Sequence, residues 1–379
     1  MDKASKTEKK CAECDNSKGK FNLCPTCTTR HIQGEIDEFI KDTQIQAHDT
    51  VQWADWKEFT NIKKIGEGGF GTVYSSRWSR SIEIVALKTI GKPNELMNNF
   101  LKEAKALFHC YNQENSCFRI KGFTQDPLSM QYYIITRYAE NGDLRQYLRE
   151  NTSLSWEDRL YILWDISLDL ERIHKTGLIH RDIHAGNILH TGKVSHASYG
   201  TRVHDGVAYI SDFGFSIAAY SDNNTEEIYG VMPYIAPEVL NGHGYSMESD
   251  IYSIGIIMWE LASGKSPFTH ISHDACLALK IYDGLRPEPT PNAPPFYLQL
   301  MQSCWHKDPF KRPKAKEIKE TVMNQGGLFQ KYQEKMQSII EKQKAASKID
   351  NNKIDPNAIY KSRLLPTITS LLSKRNSFK

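Results

Sequence analysis

Between two β-favouring runs the chain carries Ile65-Gly66-Glu67-Gly68-Gly69-Phe70-Gly71-Thr72-Val73, a G-x-G-x-x-G turn that joins strand to strand. Set between a strand and a helix, the same glycines would signal a dinucleotide fold. Set between two strands, they call for a hairpin flap whose backbone N–H groups approach phosphate oxygens without side-chain interference. Phe70, at the tip, is expected to shield a terminal phosphate from water. Seventeen residues past Gly71 stands Lys88, in the apolar run Val85-Ala86-Leu87-Lys88. A lysine in such a strand is costly unless paired. Glu103, in a segment with helical spacing, is the expected partner; Glu95 lies nearer the helix start and reads as a first-turn charge.

Further motifs follow in fixed order: His180-Arg181-Asp182 with Asn187, Asp212-Phe213-Gly214, Ala236-Pro237-Glu238, then Asp250 and Arg312. Each alone has a plain reading as a loop or cap residue. Together they supply a base (Asp182) to take a hydroxyl proton, and two hard oxygen donors (Asn187 and Asp212) suited to magnesium.

This ordered set resembles the eukaryotic protein kinase family over about Phe59 to Met323. The resemblance implies an α+β, bilobal fold with a small β-rich N-lobe and a larger α-helical C-lobe. It implies ATP and Mg2+ as cofactors. Lys88, paired with Glu103, would face the α- and β-phosphates. Ile65, Gly66, Gly68, Gly71, Val73, Ala86, Thr136, Tyr138 and Leu189 would hold the nucleotide, with Thr136 beside the adenine slot. Leu107, Ile120, His180 and Phe213 would stack in one apolar column. Glu238 and Arg312 would pair. Arg181 would meet a phosphate on the segment 212–238, which offers Ser216, Tyr220, Ser221, Thr225 and Tyr229.

Substrate choice is less plain. Ser/Thr kinases usually carry lysine two residues after the base, where this chain has His184, and Thr or Ser where it has Val231. Tyrosine kinases usually carry arginine two or four residues after the base; here those positions are His184 and Gly186. Tyr234-Ile-Ala-Pro-Glu238, with Cys304-Trp-His-Lys-Asp-Pro309 leading to Arg312-Pro313, resembles the tyrosine-kinase-like Ser/Thr branch. The expectation is a MgATP-dependent protein kinase directed to Ser/Thr. The alternatives are a tyrosine or dual-specificity kinase, or a pseudokinase scaffold. The presence of Lys88, Glu103, Asp182, Asn187 and Asp212 weighs against the scaffold.

Outside this stretch the chain is read in four pieces. Residues 1–10 are charged and expected to be disordered. Residues 11–30 hold Cys11, Cys14, Cys24 and Cys27, two knuckles that read as a four-cysteine, zinc-knuckle-like head with a structural Zn2+ and a protein partner, the alternatives being a redox pair or four free thiols. Residues 31–58 form a helical linker with Ile32, Ile36, Phe39 and Ile40 on one face; its aromatics Trp53 and Trp56, with Phe59, are expected to pack on the domain at 59–325. A short Cys-rich head, an acidic helical linker and a His-Arg-Asp-Ile-His catalytic loop together resemble kinases of large fungal expansions. Residues 326–379 form a basic tail, expected to be largely disordered. From Lys331 to Lys379 there are 11 Lys+Arg against 4 Asp+Glu, whereas the whole chain carries +3. The body is therefore mildly acidic, and no specific nucleic-acid partner is expected. Lacking a long apolar run or a secretory start, the chain is expected to be soluble and cytoplasmic, without a membrane span. Cys110, Cys117, Cys276 and Cys304 read as buried small apolar residues.

Overall fold

Strand periodicity sorts the side chains of the smaller unit onto two faces of one sheet. The computed structural model describes residues 34–42, 51–68, 71–89, 104–108, 110, 120–192, 207–219, 228–290, 293–325 and 354–368. They fall into two units, one reaching Tyr138 and one starting at Ala139. The smaller unit is a six-stranded sheet of β1 (Gln52–Trp53), β2 (Phe59–Gly68), β3 (Gly71–Trp78), β4 (Ile84–Thr89), β5 (Ile120–Gln125) and β6 (Tyr132–Arg137). Its order is β1-β5-β6-β4-β3-β2. All pairings are antiparallel except β1 with β5.

Directly opposed residues share a face, and alternate residues return to it. Val85 and Leu87 of β4, Trp78 of β3, and Tyr133 and Ile135 of β6 build the apolar core on one face, with Ala54 and Phe59. Trp56 packs against that cluster, and its ring lies 5.0 Å from that of Tyr133. Val73, Ala86, Lys88 and Thr136 therefore share the other face.

The segment read as a linker belongs to this unit. Residues 34–42 form a helix, α1, that buries Ile36, Phe39 and Ile40; Ile32 lies outside the described residues. Phe39 packs edge-on to Phe123 at 5.8 Å and to Phe108 at 5.5 Å, Phe108 standing on a second helix, α2, at residues 104–108. β1 then adds to the sheet along β5, with Gln52 opposite Gly122. A Cβ on Gly122 would stand 2.2 Å from the Gln52 carbonyl oxygen, so the close approach of β1 requires glycine there.

The larger unit is mainly helical: α3 (Leu144–Glu150), α4 (Trp156–Lys175), α5 (Pro237–Leu240), α6 (Met247–Ser263), α7 (Ala275–Tyr282), α8 (Pro295–Cys304) and α9 (residues 315–325). Short pairs of strands join them. β7 (Leu178–Ile179) pairs with β10 (Ile217–Ala218), and β8 (Ile188–Thr191) pairs with β9 (Val207–Ile210). α6 is buried on most sides, as its largely apolar sequence requires. A reciprocal Ser246/Ser249 cap opens it and Gly264, in the left-handed region, ends it. Tyr297 of α8 donates to the Met258 carbonyl of α6 at 2.6 Å.

Two expectations change. Cys276 is exposed at the start of α7, whereas Cys110 and Cys304 are buried; its first-turn position on α7 points it to solvent. Cys117 lies outside the described residues. The tail differs more. Residues 354–368 pack on the larger unit, and β12 (Arg363–Leu365) pairs antiparallel with β11 (Ile228–Gly230). Composition pointed to disorder, but Leu365 and Ile368 are buried and the ladder satisfies the backbone, which offsets the ordering entropy.

Among the described residues, no helix is long and apolar enough to cross a membrane.

Candidate active site

The face of the small sheet that carries Lys88 is set by register. Gly66 opposes Val73, Val73 opposes Lys88, and Ala86 opposes Thr136. Lys88, Val73, Ala86 and Thr136 thus sit on adjacent rungs of one face. The glycine turn is anchored to the far end of β4. Gly71 has φ +146°, and a Cβ there would fall 1.9 Å from the Thr89 carbonyl oxygen. Next to it, the Thr72 N–H donates to Thr89 Oγ1 at 2.8 Å. Gly68 pairs with Gly71, Ile65 is exposed and Tyr138 ends the unit. Phe70, Glu95 and Glu103 lie outside the described residues, as do Cys11, Cys14, Cys24 and Cys27.

In the larger unit Asp250 organises the catalytic loop. It stands in the first turn of α6, 1% exposed. One carboxylate oxygen takes the His180 N–H at 2.9 Å and His174 Nε2 at 3.0 Å; the other takes the Arg181 N–H at 3.0 Å. Arg181 has φ +74°, a conformation costly for a residue other than glycine unless its surroundings hold it. Asp250 supplies that hold. The Arg181 guanidinium lies over the Tyr245 ring at 4.5 Å.

His180 fixes the next two turns. Its Nδ1 accepts the Asp182 N–H at 3.3 Å, and its Nε2 faces the Ser211 carbonyl at 3.1 Å. An accepting Nδ1 carries no proton, so the ring is neutral and Nε2 donates. Burial depresses its pKa in the same sense. Its ring meets Phe213 edge-on at 5.1 Å. Of the expected apolar column, this pair is described in the larger unit, and Leu107 and Ile120 are each buried in the smaller one.

Asn187 closes the loop onto Asp182. Its amide nitrogen donates to the Asp182 carbonyl at 2.8 Å and to Asp182 Oδ2 at 3.1 Å. The nitrogen being committed, a cation would fall to the amide oxygen. Asp212 is brought alongside by β9. Ser211 N–H and Oγ both donate to the Asn187 carbonyl, at 2.8 and 2.9 Å. β9 itself is caught by α4, where Asp165 accepts the Ala208 N–H at 3.2 Å and Asp169 the Ile210 N–H at 2.9 Å. Asp212 sits at φ 69°, ψ 71°, the kind of strained residue that collects at functional sites. One carboxylate and one amide oxygen on neighbouring turns are a hard donor pair that fits magnesium. Leu189, on β8, opposes Tyr209.

Asp182 is 2% exposed, and the tail reaches it. Ser362 Oγ stands 2.7 Å from Asp182 Oδ2 and 2.9 Å from Oδ1. His184 Nδ1 accepts the Gly186 N–H at 3.0 Å, and Nε2 stands 3.1 Å from Ser362 Oγ. The ring's donor is therefore Nε2. Ser362 receives that hydrogen bond and gives its own proton to the carboxylate. Burial pushes the Asp182 pKa up, but His184 and the Ser362 hydroxyl outweigh it and hold the carboxyl below its ordinary value.

Beneath His184, Tyr234 donates to Glu260 at 2.6 Å, and Arg145 of α3 donates to the Tyr234 hydroxyl at 3.3 Å. The Arg145 guanidinium lies close to Gly186, 3.5 Å from where a Cβ would stand. The expected Glu238–Arg312 pair is bidentate, at 2.6 and 2.7 Å. Of the hydroxyls singled out on segment 212–238, Ser216 is buried and donates to the Phe213 carbonyl at 2.8 Å. Tyr229 stacks on Phe215 at 5.2 Å. Tyr220, Ser221 and Thr225 lie outside the described residues.

Sequence reasoning missed Ser362, Tyr360, His273 and Arg145. The signal for the first two was an island, Tyr360 to Ile368, with three aliphatic residues in a polar stretch.

The family model described as protein tyrosine and serine/threonine kinase matches residues 59–322. A probable serine/threonine-protein kinase of Dictyostelium discoideum is 29% identical over 299 residues, covering 78% of this chain and 17% of its own length. Human tyrosine-protein kinase TXK is 32% identical over 272 residues, covering 71% of this chain and 48% of its own. Human tyrosine-protein kinase ABL2 is 30% identical over 291 residues, with 74% and 23% covered. The chain spans less than half the length of each of these relatives. Taken with the catalytic loop that Asp250 holds in place, the match over residues 59–322 establishes that this chain belongs to the protein tyrosine and serine/threonine kinase family.

Proposed function

We propose that the chain transfers the γ-phosphoryl group of ATP to a serine or threonine hydroxyl of a protein. A domain of this family works with ATP and Mg2+, and Asn187 and Asp212 are the residues that would hold the metal. One observation carries the substrate class: an aliphatic hydroxyl sits 2.7 Å from Asp182 Oδ2 while the next residue lies on the β11 ladder, opposite Gly230. The hydroxyl of a tyrosine stands a ring's width further from its Cα. With the main chain at this height, a tyrosine would overshoot the carboxylate. Asp182 serves as the base, held anionic, and takes the hydroxyl proton as the oxygen bonds to phosphorus. His184 does the orienting that lysine does in most Ser/Thr kinases.

The test is incubation with labelled ATP and a degenerate peptide library, comparing wild type with Asp182→Asn. Transfer to serine and threonine that the substitution abolishes is the expected result. Transfer to tyrosine would overturn the preference. No transfer at all would favour the scaffold reading.

The finer assignments are part of the same proposal. The Tyr-Ile-Ala-Pro-Glu register supports the tyrosine-kinase-like branch. Cys11, Cys14, Cys24 and Cys27 have the spacing of a structural zinc site that presents a protein-binding head. Metal analysis of wild type against Cys24→Ser checks it, and a metal-free wild type would refute it. The polar composition supports a cytoplasmic setting.

A further inference from the structure

The tail reaches Asp182 as a substrate would. From Asp355 to Arg363 it is gripped at successive positions. The Asp355 N–H donates to the Thr269 carbonyl at 2.9 Å. His273, in the loop before α7, takes hold four ways. Its N–H donates to the Asn357 carbonyl at 3.1 Å, its Nδ1 faces the Ile359 carbonyl at 2.9 Å, its ring meets Tyr360 edge-on at 4.8 Å, and its carbonyl accepts from Arg363. Tyr360 donates to the Pro267 carbonyl at 2.6 Å and lies 4.9 Å beneath the Arg145 guanidinium. Beyond Ser362 the chain runs as β12, with Arg363, Leu364 and Leu365 opposite Gly230, Tyr229 and Ile228. Leu365 is 4% exposed, whereas Leu364 is 52% exposed.

This is a specific seat for one hydroxyl. The Ser362 hydrogen points to Asp182 and one lone pair accepts from His184 Nε2. The second lone pair is left for phosphorus. Strand addition fixes the register, and pockets for alternate side chains read the sequence.

We propose that Ser362 is a phosphorylation site of this chain's own active site, modified within the same molecule, and that residues 354–368 are its built-in substrate. The inference rests on the kinase reading above. In the step, Ser362 Oγ attacks the γ-phosphorus of ATP and the Oγ–P bond forms. The bond from that phosphorus to the β,γ-bridging oxygen breaks, its electron pair leaving with ADP, and the hydroxyl proton passes to the Asp182 carboxylate. The seat also defines what an outside substrate must match: an aromatic residue two before the acceptor and an aliphatic one three after. Once formed, the phosphoserine carries roughly −1.5 to −2 charges against a buried carboxylate. That repulsion expels the tail and opens Asp182 to other proteins.

The full-length protein tests this with MgATP and mass spectrometry of residue 362. Wild type is mixed with an isotopically heavy Asp182→Asn chain, and a generic serine-containing protein substrate is included. Expected are phosphate at Ser362 of the light chain alone, and a rate per molecule unchanged over hundredfold dilution. Phosphate on Ser362 of the heavy chain, or a rate that falls on dilution, overturns modification within one molecule. Transfer to the generic substrate with Ser362 unmodified overturns the site and leaves the kinase reading standing. No transfer to any hydroxyl overturns both.

Discussion

His184 points its protonated Nε2 at Ser362 Oγ, 3.1 Å away, because its Nδ1 is taken by the Gly186 N–H at 3.0 Å. The same ring lies 3.6 Å from Asp182 Oδ2. It is one of the groups that hold the Asp182 carboxyl below its ordinary value against the opposing effect of burial. A depressed carboxyl is ionised, and so competent as a base, throughout the neutral and mildly acidic range.

The rate of phosphoryl transfer is therefore expected to show no acid inflection from Asp182 until pH falls below the ordinary carboxylate range. His184→Ala removes the first of the opposing influences and leaves burial in place. The acid limb should then move upward, and the rate at neutral pH should drop by about tenfold to hundredfold. A kcat/KM profile against pH for both proteins decides it. An unmoved limb would mean that His184 does not act on the base.

Asp250 accepts two consecutive backbone N–H groups and a histidine. Asp250→Ala leaves these donors buried and unmatched, at a cost of about 3 kcal/mol. Denaturant unfolding of the two proteins measures this directly. Transfer should be lost alongside, since the positive φ of Arg181 no longer has its support.

Burial pushes the Asp165 carboxyl up to about 7. A raised carboxyl binds its proton more tightly folded than unfolded. Its contribution to stability is thus full below about pH 4 and is lost as pH rises through 7. Asp165→Asn keeps an acceptor for the Ala208 N–H and cannot ionise. Between pH 5 and pH 8 the variant should gain on wild type by on the order of 3 kcal/mol. Parallel unfolding curves at the two pH values would count against a neutral Asp165.

Ser362→Asp places a second carboxylate against Asp182. The tail should leave, so residues 354–368 become sensitive to limited proteolysis and their amides exchange faster. Transfer to an added peptide should rise at least fivefold, the equivalent of about 1 kcal/mol of removed occlusion. Unchanged protection of the tail would contradict the seat at Asp182.

Much of the site was legible because its residues are local. The glycine hairpin, β4 and β6 are short elements whose alternation fixes which side chains share a face. The Asp182–Asn187 contact spans five residues, and the Glu238–Arg312 pair carries its own motifs. The partner of His184 was not legible. Ser362 lies 178 residues further along the chain and is delivered by a ladder to β11 that no local pattern encodes. Arg145 likewise brings a guanidinium near Gly186 from a helix, and the sequence of the loop itself gives no sign of it. The departures at His184 and Gly186 were visible as departures, but their meaning depended on groups arriving from elsewhere.

The small sheet is finished by residues that precede the kinase match. β1 covers the outer edge of β5, and α1 lays Phe39 over Phe123. A fragment trimmed to begin at Phe59 would bare the hydrogen-bonding rim of Gly122 and Phe123 and strip the cover from two aromatic rings. Such a fragment should clump in solution, and one begun before Gly34 should stay dispersed.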